Sequence, residues 1–454
     1  MTLLNWIPEV FLLILLFSTL IVMNFRVLSY RSLSVSIASI TTLGLVYFVF
    51  RNDLAYYDSP LKFLVCDSLS HFGKILALVT LIVFTLGFHF HRELNFHAKQ
   101  SSNLFLIFYS FFTIGLFQSN SLVLFLGCSL GLYLSSMNLI LIESNRDQKW
   151  VALFRQRSLP IALWAALIAL IFGVGTYLFG SIYLSDWVLA FSKFNGGEFS
   201  LFIFGFLLLF ATAIPLGGLR YAGRAPVGIA ILCYGLFLML TAFWLRLGVP
   251  FFSLSPLMSK NLAQVLLSIM LGTFTLRYAW NTIRVSMHHH WYASALPAMT
   301  GLALFLVLLP GEHALPAFYC ISISILFTFV LVSHAFLTED YRHKALLVFS
   351  LIALAGMPPL ILGEQFYRLI HDAVASGNIT AGIVMTLSWF GLIMGITQKI
   401  SRVLLVRNPV KARRKIFASE YFFFAIYCGC VIALTAFRPD FVALINEHPV
   451  LNLW

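Results

Sequence analysis

Continuous apolar runs, rather than alternation, dominate the hydrophobic pattern of this chain. Each run is close to 20 residues, the length that an α-helix needs to cross a hydrocarbon core of about 30 Å. Barrel strands would instead alternate in polarity over about ten positions. The pattern predicts an all-α integral membrane protein with about fourteen transmembrane helices. The segments lie near residues 7–25, 33–50, 72–90, 104–119, 121–142, 159–184, 200–219, 226–247, 262–283, 294–310, 315–337, 345–371, 379–400 and 419–437.

Positive charge in the predicted loops alternates from one side of the membrane to the other. Loops that follow odd-numbered segments hold most of the lysine and arginine, and the densest run extends from Arg402 to Lys415. Basic loops stay in the cytoplasm or the mitochondrial matrix, so both termini are expected on the opposite face. The same basic run predicts contact with anionic lipid headgroups.

Composition supports a membrane role and excludes several others. Hydrophobic residues make up 60% of the 454 residues and charged residues only 10%, whereas soluble domains have about 25%. The net charge of +12 is explained by topology, so we expect no nucleic-acid partner. The six cysteines have no metal-binding spacing, and there is no phosphate loop, dinucleotide fingerprint or nucleophile triad. We therefore expect no catalytic residue, metal or cofactor in this chain.

Proline interrupts two of the predicted helices. Pro358 and Pro359 break the run from Leu346 to Ala373, and Pro215 breaks the run from Gly205 to Gly218. In lipid, the backbone groups freed by proline must be packed in protein or line a hydrated cavity. Either break alone could be a packing kink.

The two breaks together indicate an inverted repeat. We predict a single transmembrane domain, 1–454, with N-terminal helices 1–3 in 1–100 and a C-terminal helix in 419–454. Between them lie two inverted five-helix repeats, at 104–247 and 262–400, with the broken helices at positions 7 and 12.

The sequence Ser350–Tyr367, SLIALAGMPPLILGEQFY, carries a family signature. It resembles the twelfth helix of the antiporter-like membrane subunits of respiratory complex I (NADH:ubiquinone oxidoreductase), most closely subunit N of bacteria or subunit 2 of mitochondria. Weaker agreements occur in the same order along the chain, at Pro8-Glu9, Asp67-Ser68-Leu69 with Phe72 and Lys74, Leu124–Gly127, Phe210–Pro215 and Ala225-Pro226-Val227.

The resemblance implies a proton-conducting axis of buried charged residues, from which this sequence departs. A glutamate and three lysines of the family pattern fall on uncharged residues here, namely Ser129, Phe210, Leu236 and Gln365. No charged residue lies between 199 and 219. The expected function is that of a complex I membrane-arm subunit with a degenerate proton path and a mainly structural or coupling role.

Three titratable residues remain as proton-path candidates: Glu364, His334 and Lys399. A carboxylate at the bilayer midplane is costly, which makes Glu364 a functional candidate, although Arg368 one turn later could simply pair with it. His334 could equally be a hydrogen-bonded residue at the membrane edge. Lys399 could snorkel to the basic side.

The resemblance also implies partners and a location. The partners would be other complex I membrane-arm subunits and phospholipids, and NADH, flavin, iron–sulfur clusters and ubiquinone would belong to other subunits. The expected location is the mitochondrial inner membrane, with the bacterial plasma membrane as the alternative.

Two other functions stay open. One is a still-active proton or cation/proton antiporter subunit of the same superfamily. The other is an unrelated solute transporter, against which the Phe, Leu and Ile side chains around Pro215 argue.

Overall fold

The computed structural model shows a helical chain. It describes residues 7–25, 30–50, 57–58, 63–90, 96–143, 169–170, 173–190, 226–248, 260–284, 288–309, 311–337, 344–357, 360–405 and 425. The named helices are α1 (Ile7–Phe25), α2 (Tyr30–Phe50), α3 (Ser68–Phe90), α4 (Phe96–Gln118), α5 (Leu122–Glu143), α6 (Leu184–Ala190), α7 (Pro226–Phe243), α8 (Lys260–Arg284), α9 (His288–Leu304), α10 (Gly311–Leu337), α11 (Lys344–Ala355), α12 (Ile361–Ala375) and α13 (Ile379–Leu405).

Shorter elements extend or precede these helices. A π-helical turn, Trp244–Gly248, continues α7, and a 3₁₀ turn, Phe305–Leu308, continues α9. Before α3, strands β1 (Tyr57–Asp58) and β2 (Val65–Cys66) pair antiparallel, with Tyr57 opposite Cys66.

The chain divides into two compact units. Unit 1 comprises Met1–Thr212, Leu238–Pro256 and Pro449–Trp454, and unit 2 comprises Ala213–Phe237 and Leu257–His448. Helices α1 to α6 therefore belong to unit 1 and α8 to α13 to unit 2, and the boundary falls within α7.

Among the described residues, five helices are long and apolar enough to cross a membrane: Leu69–Phe88, Gln100–Gln118, Leu122–Glu143, Val227–Leu247 and Ile379–Arg402. Four shorter apolar helices accompany them, at Glu9–Ile21, Leu33–Val46, Ser294–Leu308 and Ala317–Ser333. The predicted class, a helical multi-pass membrane protein, is confirmed.

The described helices agree with most predicted segments to within a few residues. The division between segments 4 and 5 is confirmed, because α4 ends at Gln118 and α5 begins at Leu122. Asn120 lies between them. Its backbone N–H donates to the carbonyl of Phe63 at 2.8 Å, and its carbonyl accepts the backbone N–H of Leu184 at 2.8 Å. The segment 200–219 lies outside the described residues, and so does the segment 419–437 except for residue 425.

The triplet His288–His290 forms the first turn of α9. The following apolar run starts at Ser294, so the helix simply begins six residues earlier than the hydrophobic pattern does.

Candidate functional site

A buried ion pair joins two distant parts of unit 1. Arg246, in the π-helical turn after α7, donates from both terminal nitrogens to the carboxylate of Asp67, at the start of α3, with Nη2 3.0 Å from Oδ1. Arg246 Nη2 also donates to the backbone carbonyl of Phe117, near the end of α4. The side chains of Arg246 and Asp67 are only 8% and 6% exposed. Such a two-pronged pair fixes orientation as well as charge.

A second buried pair lies along the same helix. Lys74 of α3 contacts Glu9 of α1 at 2.8 Å, and Gln118 of α4 donates to the same carboxylate oxygen at 2.6 Å. The other carboxylate oxygen of Glu9 is buried and has no hydrogen-bond partner among the described residues.

These contacts form a closed circuit, which we name the ionic ring (Glu9, Asp67, Lys74, Gln118 and Arg246). It runs from Asp67 along α3 to Lys74, then to Glu9 and Gln118, and returns through the adjacent Phe117 carbonyl to Arg246. Two carboxylates balance two cations, so the ring is neutral in its ionised form. It ties α1, α3, α4 and the π-helical turn after α7 together within unit 1.

Local sequence explains how the ring residues are positioned. Asp67 caps α3, because its Oδ1 accepts the N–H of Ser70 at 2.8 Å while the Ser70 hydroxyl accepts the N–H of Asp67 at 2.8 Å. This reciprocal cap is a sequence-local signal. The π turn widens the end of α7, a distortion often found at functional positions.

The sequence prediction missed the ring as a unit. Glu9, Asp67 and Lys74 were noticed only as weak family agreements, and Gln118 and Arg246 were not among the candidate residues. Arg246 is 7% exposed and paired. The available signal was the presence of five polar or charged residues at apolar helix ends.

The break between α11 and α12 is packed in protein. Gly356 adopts φ +61° and ends α11: its N–H donates to the carbonyl of Ala353 at 3.1 Å, and that of Met357 to the carbonyl of Ile352 at 3.5 Å. This is the two-bond Schellman ending, for which glycine is the favoured residue. Pro358 and Pro359, predicted as the cause of the break, lie outside the described residues.

Helix α13 satisfies one of the carbonyls that the break leaves free. The indole nitrogen of Trp389 donates to the Ala355 carbonyl at 2.9 Å. The Trp389 ring also packs edge-on against Phe366 of α12, with ring centroids 5.9 Å apart. The freed carbonyl is thus bonded to a side chain of this unit, one of the two outcomes that the lipid environment allows.

Glu364 lies in the first turn of α12 and pairs with Arg368. Arg368 Nη2 and Nε are 2.5 Å and 3.1 Å from Glu364 Oε1. The side chains are 35% and 45% exposed, so this pair faces outward from unit 2. The pairing considered as an alternative to a proton-path role is therefore present.

Lys399 is buried in α13 and lies away from Glu364. Its ammonium group is 5.9 Å from the ring centroid of Trp291, and the residue is 3% exposed. Its ammonium group therefore lies against protein and not on the exposed surface of the described chain. Both positions can be counted from the turn between α12 and α13 at about 1.5 Å per residue. Lys399 then lies about 13 Å further along the helix axis than Glu364. His334 lies in α10, and its side chain is outside the described part.

Uncharged residues occupy the described positions where the family has charges. Ser129 in α5 is fully buried, and its hydroxyl donates to the Phe125 carbonyl one turn earlier at 2.8 Å. Leu236 in α7 and Gln365 in α12 are 8% and 5% exposed. Phe210 and Pro215 lie outside the described residues.

Serine and threonine hydroxyl groups lie buried along the described unit 1 spans. Thr80, Thr113 and Ser136 each donate to the carbonyl four residues earlier. A hydroxyl that donates to its own helix does not offer that proton to a neighbour. The buried charges of this unit lie instead near helix ends.

Comparison with solved structures identifies the fold. The chain matches a chain of respiratory complex I from Thermus thermophilus with bound NADH at a TM-score of 0.74 and 15% identity, covering 99% of this chain and 97% of that one. It matches a chain of the membrane-bound sulfane sulfur reductase, an archaeal respiratory membrane complex, at 0.76 and 11%, covering 98% and 96%. A chain of the Mrp complex from Dietzia sp. DQ12-45-1b matches at 0.67 and 15%, covering 98% of this chain and 57% of that one.

No protein-family profile and no curated protein matches the sequence. At identities of 11–15%, the structural matches establish the fold and not the activity. The chain thus has the fold of chains found in respiratory complex I, in the membrane-bound sulfane sulfur reductase and in the Mrp complex. This confirms the resemblance at the level of the fold, while the assignment to subunit 2 or N stays a prediction.

Proposed function

We propose that this chain is a membrane-arm subunit of a proton-translocating NADH:ubiquinone oxidoreductase, equivalent to subunit 2 or N. The observation that carries the proposal is the near full-length match to a chain of respiratory complex I, with 99% and 97% of the two chains covered. A match over the full length of both chains is expected if the two chains occupy equivalent positions in their complexes. The Ser350–Tyr367 motif supports the same assignment independently.

The proposed role is structural and coupling, with a degenerate proton path. Ser129 and Leu236 cannot hold a proton under physiological conditions, and the Ser129 hydroxyl is bonded to its own helix. A proton that crosses lipid needs groups that bind and release it at intervals a water chain can bridge. The ionic ring gives the structural role a physical basis, because it locks four helical elements together without a charge imbalance.

The proposed architecture has fourteen spans in two inverted repeats, with both termini opposite the basic loops. In this arrangement NADH, flavin, iron–sulfur clusters and ubiquinone belong to other subunits. The membrane is the mitochondrial inner membrane or, as the alternative, the bacterial plasma membrane.

An active antiporter subunit is the second candidate, and it would need Glu364, His334 and Lys399 to be linked by water. The geometry gives this candidate less support. Glu364 pairs with Arg368 on an outward face, whereas Lys399 is buried beside Trp291. A separation of about 13 Å along the helix axis exceeds the reach of one water molecule.

Purification in mild detergent tests the subunit assignment. We expect NADH dehydrogenase and other complex I chains to co-migrate with this chain at equal stoichiometry. If the chain migrates alone, or only with subunits of a cation/proton exchanger, the assignment is wrong.

Proton transport tests the degenerate path. In the assembled complex, Phe210→Lys alone should leave the number of protons pumped per NADH unchanged, because Ser129 offers the new lysine no carboxylate partner. A gain of proton flux from this single change would contradict the proposal. Phe210→Leu is the matched control for altered packing.

A further inference from the structure

Two buried polar atoms of the ionic ring take no part in the contacts that close it. Glu9 Oε2 and Arg246 Nε are both buried and have no hydrogen-bond partner among the described residues. The two residues are only 8% and 7% exposed. A buried charged group with an unsatisfied hydrogen-bonding atom is costly, so such atoms are normally bonded to protein or to ordered water.

The N–H of Arg246 Nε lies on the same side of the guanidinium group as Phe117. Nη1 and Nη2 together hold the carboxylate of Asp67, and Nη2 also donates to the Phe117 carbonyl. The guanidinium group has a fixed planar geometry, in which Nε and Nη2 share one edge. Because one N–H of Nη2 faces Asp67, the other, on the Nε edge, faces Phe117. The N–H of Nε is therefore directed toward the region around the Phe117 carbonyl.

The second oxygen of Glu9 is held near the same part of α4. Glu9 Oε1 accepts the side-chain amide of Gln118 at 2.6 Å and contacts Lys74 at 2.8 Å. Gln118 directly follows Phe117, so the carboxylate and the guanidinium group approach neighbouring residues of α4. Each already has its own ion-pair partner. The unsatisfied acceptor and the unsatisfied donor thus belong to one buried region inside the ring.

The chemistry of these two atoms selects the kind of ligand that fits between them. A cation would meet the charges of Lys74 and Arg246, and an anion would meet those of Glu9 and Asp67. A ligand must donate to Glu9 Oε2 and accept from Arg246 Nε, and water does both. The hydroxyl of Ser121, in the turn after α4, is a third buried atom with no partner among the described residues. Buried water typically makes about three such bonds.

We infer that the ionic ring is a binding site for ordered water, which donates to Glu9 Oε2 and accepts the N–H of Arg246 Nε. The water links the two ion pairs through their side chains, in the order Lys74, Glu9, water, Arg246 and Asp67. The inference concerns the ring alone and goes beyond the proposed function. Failure of the complex I assignment would leave it intact.

Electron cryomicroscopy of the purified assembly that contains this chain tests the site directly, at a resolution that shows ordered water. We expect water density within about 2.7–3.2 Å of both Glu9 Oε2 and Arg246 Nε, as one shared molecule or as two in contact. Three outcomes overturn the inference. They are a direct Glu9–Arg246 pair, a protein side chain bonded to these atoms, and no density at either atom while water is resolved elsewhere in the protein interior.

Hydroxyl-radical labelling by X-rays gives an independent readout on the unmodified protein. Radicals formed from a bound water oxidise the side chains beside it, even where these are buried. Phe117 is 0% exposed and packs on Gly73, the neighbour of Lys74. Phe366 is the matched control, because it is also 0% exposed and packs against Trp389.

We expect Phe117 to be oxidised several-fold faster than Phe366, as measured by mass spectrometry of peptides from the irradiated assembly. The reason is that the two rings are equally shielded from bulk solvent, so only a bound water makes them differ. Equal rates of oxidation at the two positions would contradict a water site in the ring.

Discussion

The two units of this chain share close helix contacts at glycine, and unit 1 adds a buried ionic ring. A Cβ added at Gly73 of α3 in unit 1 would lie 2.5 Å from Phe117 Cβ of α4. In unit 1, helices that are far apart in sequence are tied by the ionic ring, whose Arg246–Asp67 and Gln118–Glu9 contacts join residues 179 and 109 positions apart. In unit 2, α8 and α13 approach through small residues. A Cβ added at Gly272 would lie 1.9 Å from Val384 Cγ1, and one at Gly395 would lie 2.1 Å from Thr282 Oγ1.

Both solutions answer the same physical problem. Lipid tails are as apolar as leucine, so transmembrane helices gain little from hydrophobic burial against each other. Close backbone approach and interhelical polar contacts are the remaining sources of cohesion. The comparison teaches that both units depend on volume, because one added methyl group is enough to disturb their glycine contacts. Unit 1 depends in addition on charge balance, because one lost partner leaves a buried ion.

Removal of Arg246 should have the largest effect. Arg246→Met leaves the Asp67 carboxylate buried without its counter-ion, and breaking a buried pair costs about 3–5 kcal/mol. We expect a loss of that size in the free energy of unfolding, seen as a lower midpoint temperature of the detergent-solubilised chain. The double variant Asp67→Asn/Arg246→Met should recover part of the loss; if it does not, charge balance is not what holds the ring.

Removal of Lys74 should have the next largest effect. Lys74→Met leaves Glu9 with Gln118 as its remaining partner, so we expect a loss of about 3 kcal/mol, at the lower end for a buried pair. The midpoint temperature is again the measurement. A double-mutant cycle with Glu9→Gln should show that the two losses are not additive, and strict additivity would mean that the 2.8 Å contact contributes nothing.

A methyl group added between α8 and α13 should have an intermediate effect. Gly272→Ala overlaps Val384, and overpacking costs about 1–3 kcal/mol. Gly391→Ala is the matched control, because its Cβ would lie 3.4 Å from Ala279 Cβ, an ordinary contact. Val384→Ala should rescue Gly272→Ala; equal losses in the two glycine variants would argue against packing as the cohesive force of unit 2.

Loss of the exposed pair on α12 should have the smallest effect on the isolated chain. Arg368→Gln removes an ion pair whose two side chains are about a third to a half exposed, and such pairs contribute at most about 1 kcal/mol. The unfolding midpoint in detergent should therefore change little. A loss as large as that of Arg246→Met would place Arg368 among the structural residues and remove the contrast between the two pairs.

Parts of the fold could be predicted because they depend on local physics. The α1 segment was predicted at 7–25 and is observed at Ile7–Phe25, since membrane thickness sets the length of an apolar helix. The interruption between Ala355 and Ile361 followed from proline chemistry, and the pairing of Glu364 with Arg368 followed from the geometry of one helical turn. Each of these depends on residues that are neighbours in sequence.

The candidate site could be predicted only in part. Asp67 as the cap of α3 was accessible through its spacing from Ser70, but the contact of Asp67 with Arg246 was not. A single sequence does not show which of many charged residues at helix ends will meet. The burial of Lys399 beside Trp291 was missed for the same reason, because a lysine near a helix end is equally able to snorkel.

By itself, the sequence determined that this protein lies in a membrane and which of its segments form helices. Apolar length, loop charge and proline positions fix a helical chain in a membrane with a break near residue 358, because these properties act over one helix at a time. The tertiary structure alone decided which charges are paired and buried and which face outward. The reason is that the free energy of an ion depends on its surroundings. The same arginine side chain closes a buried neutral ring at Arg246 and forms an exposed pair with Glu364 at Arg368.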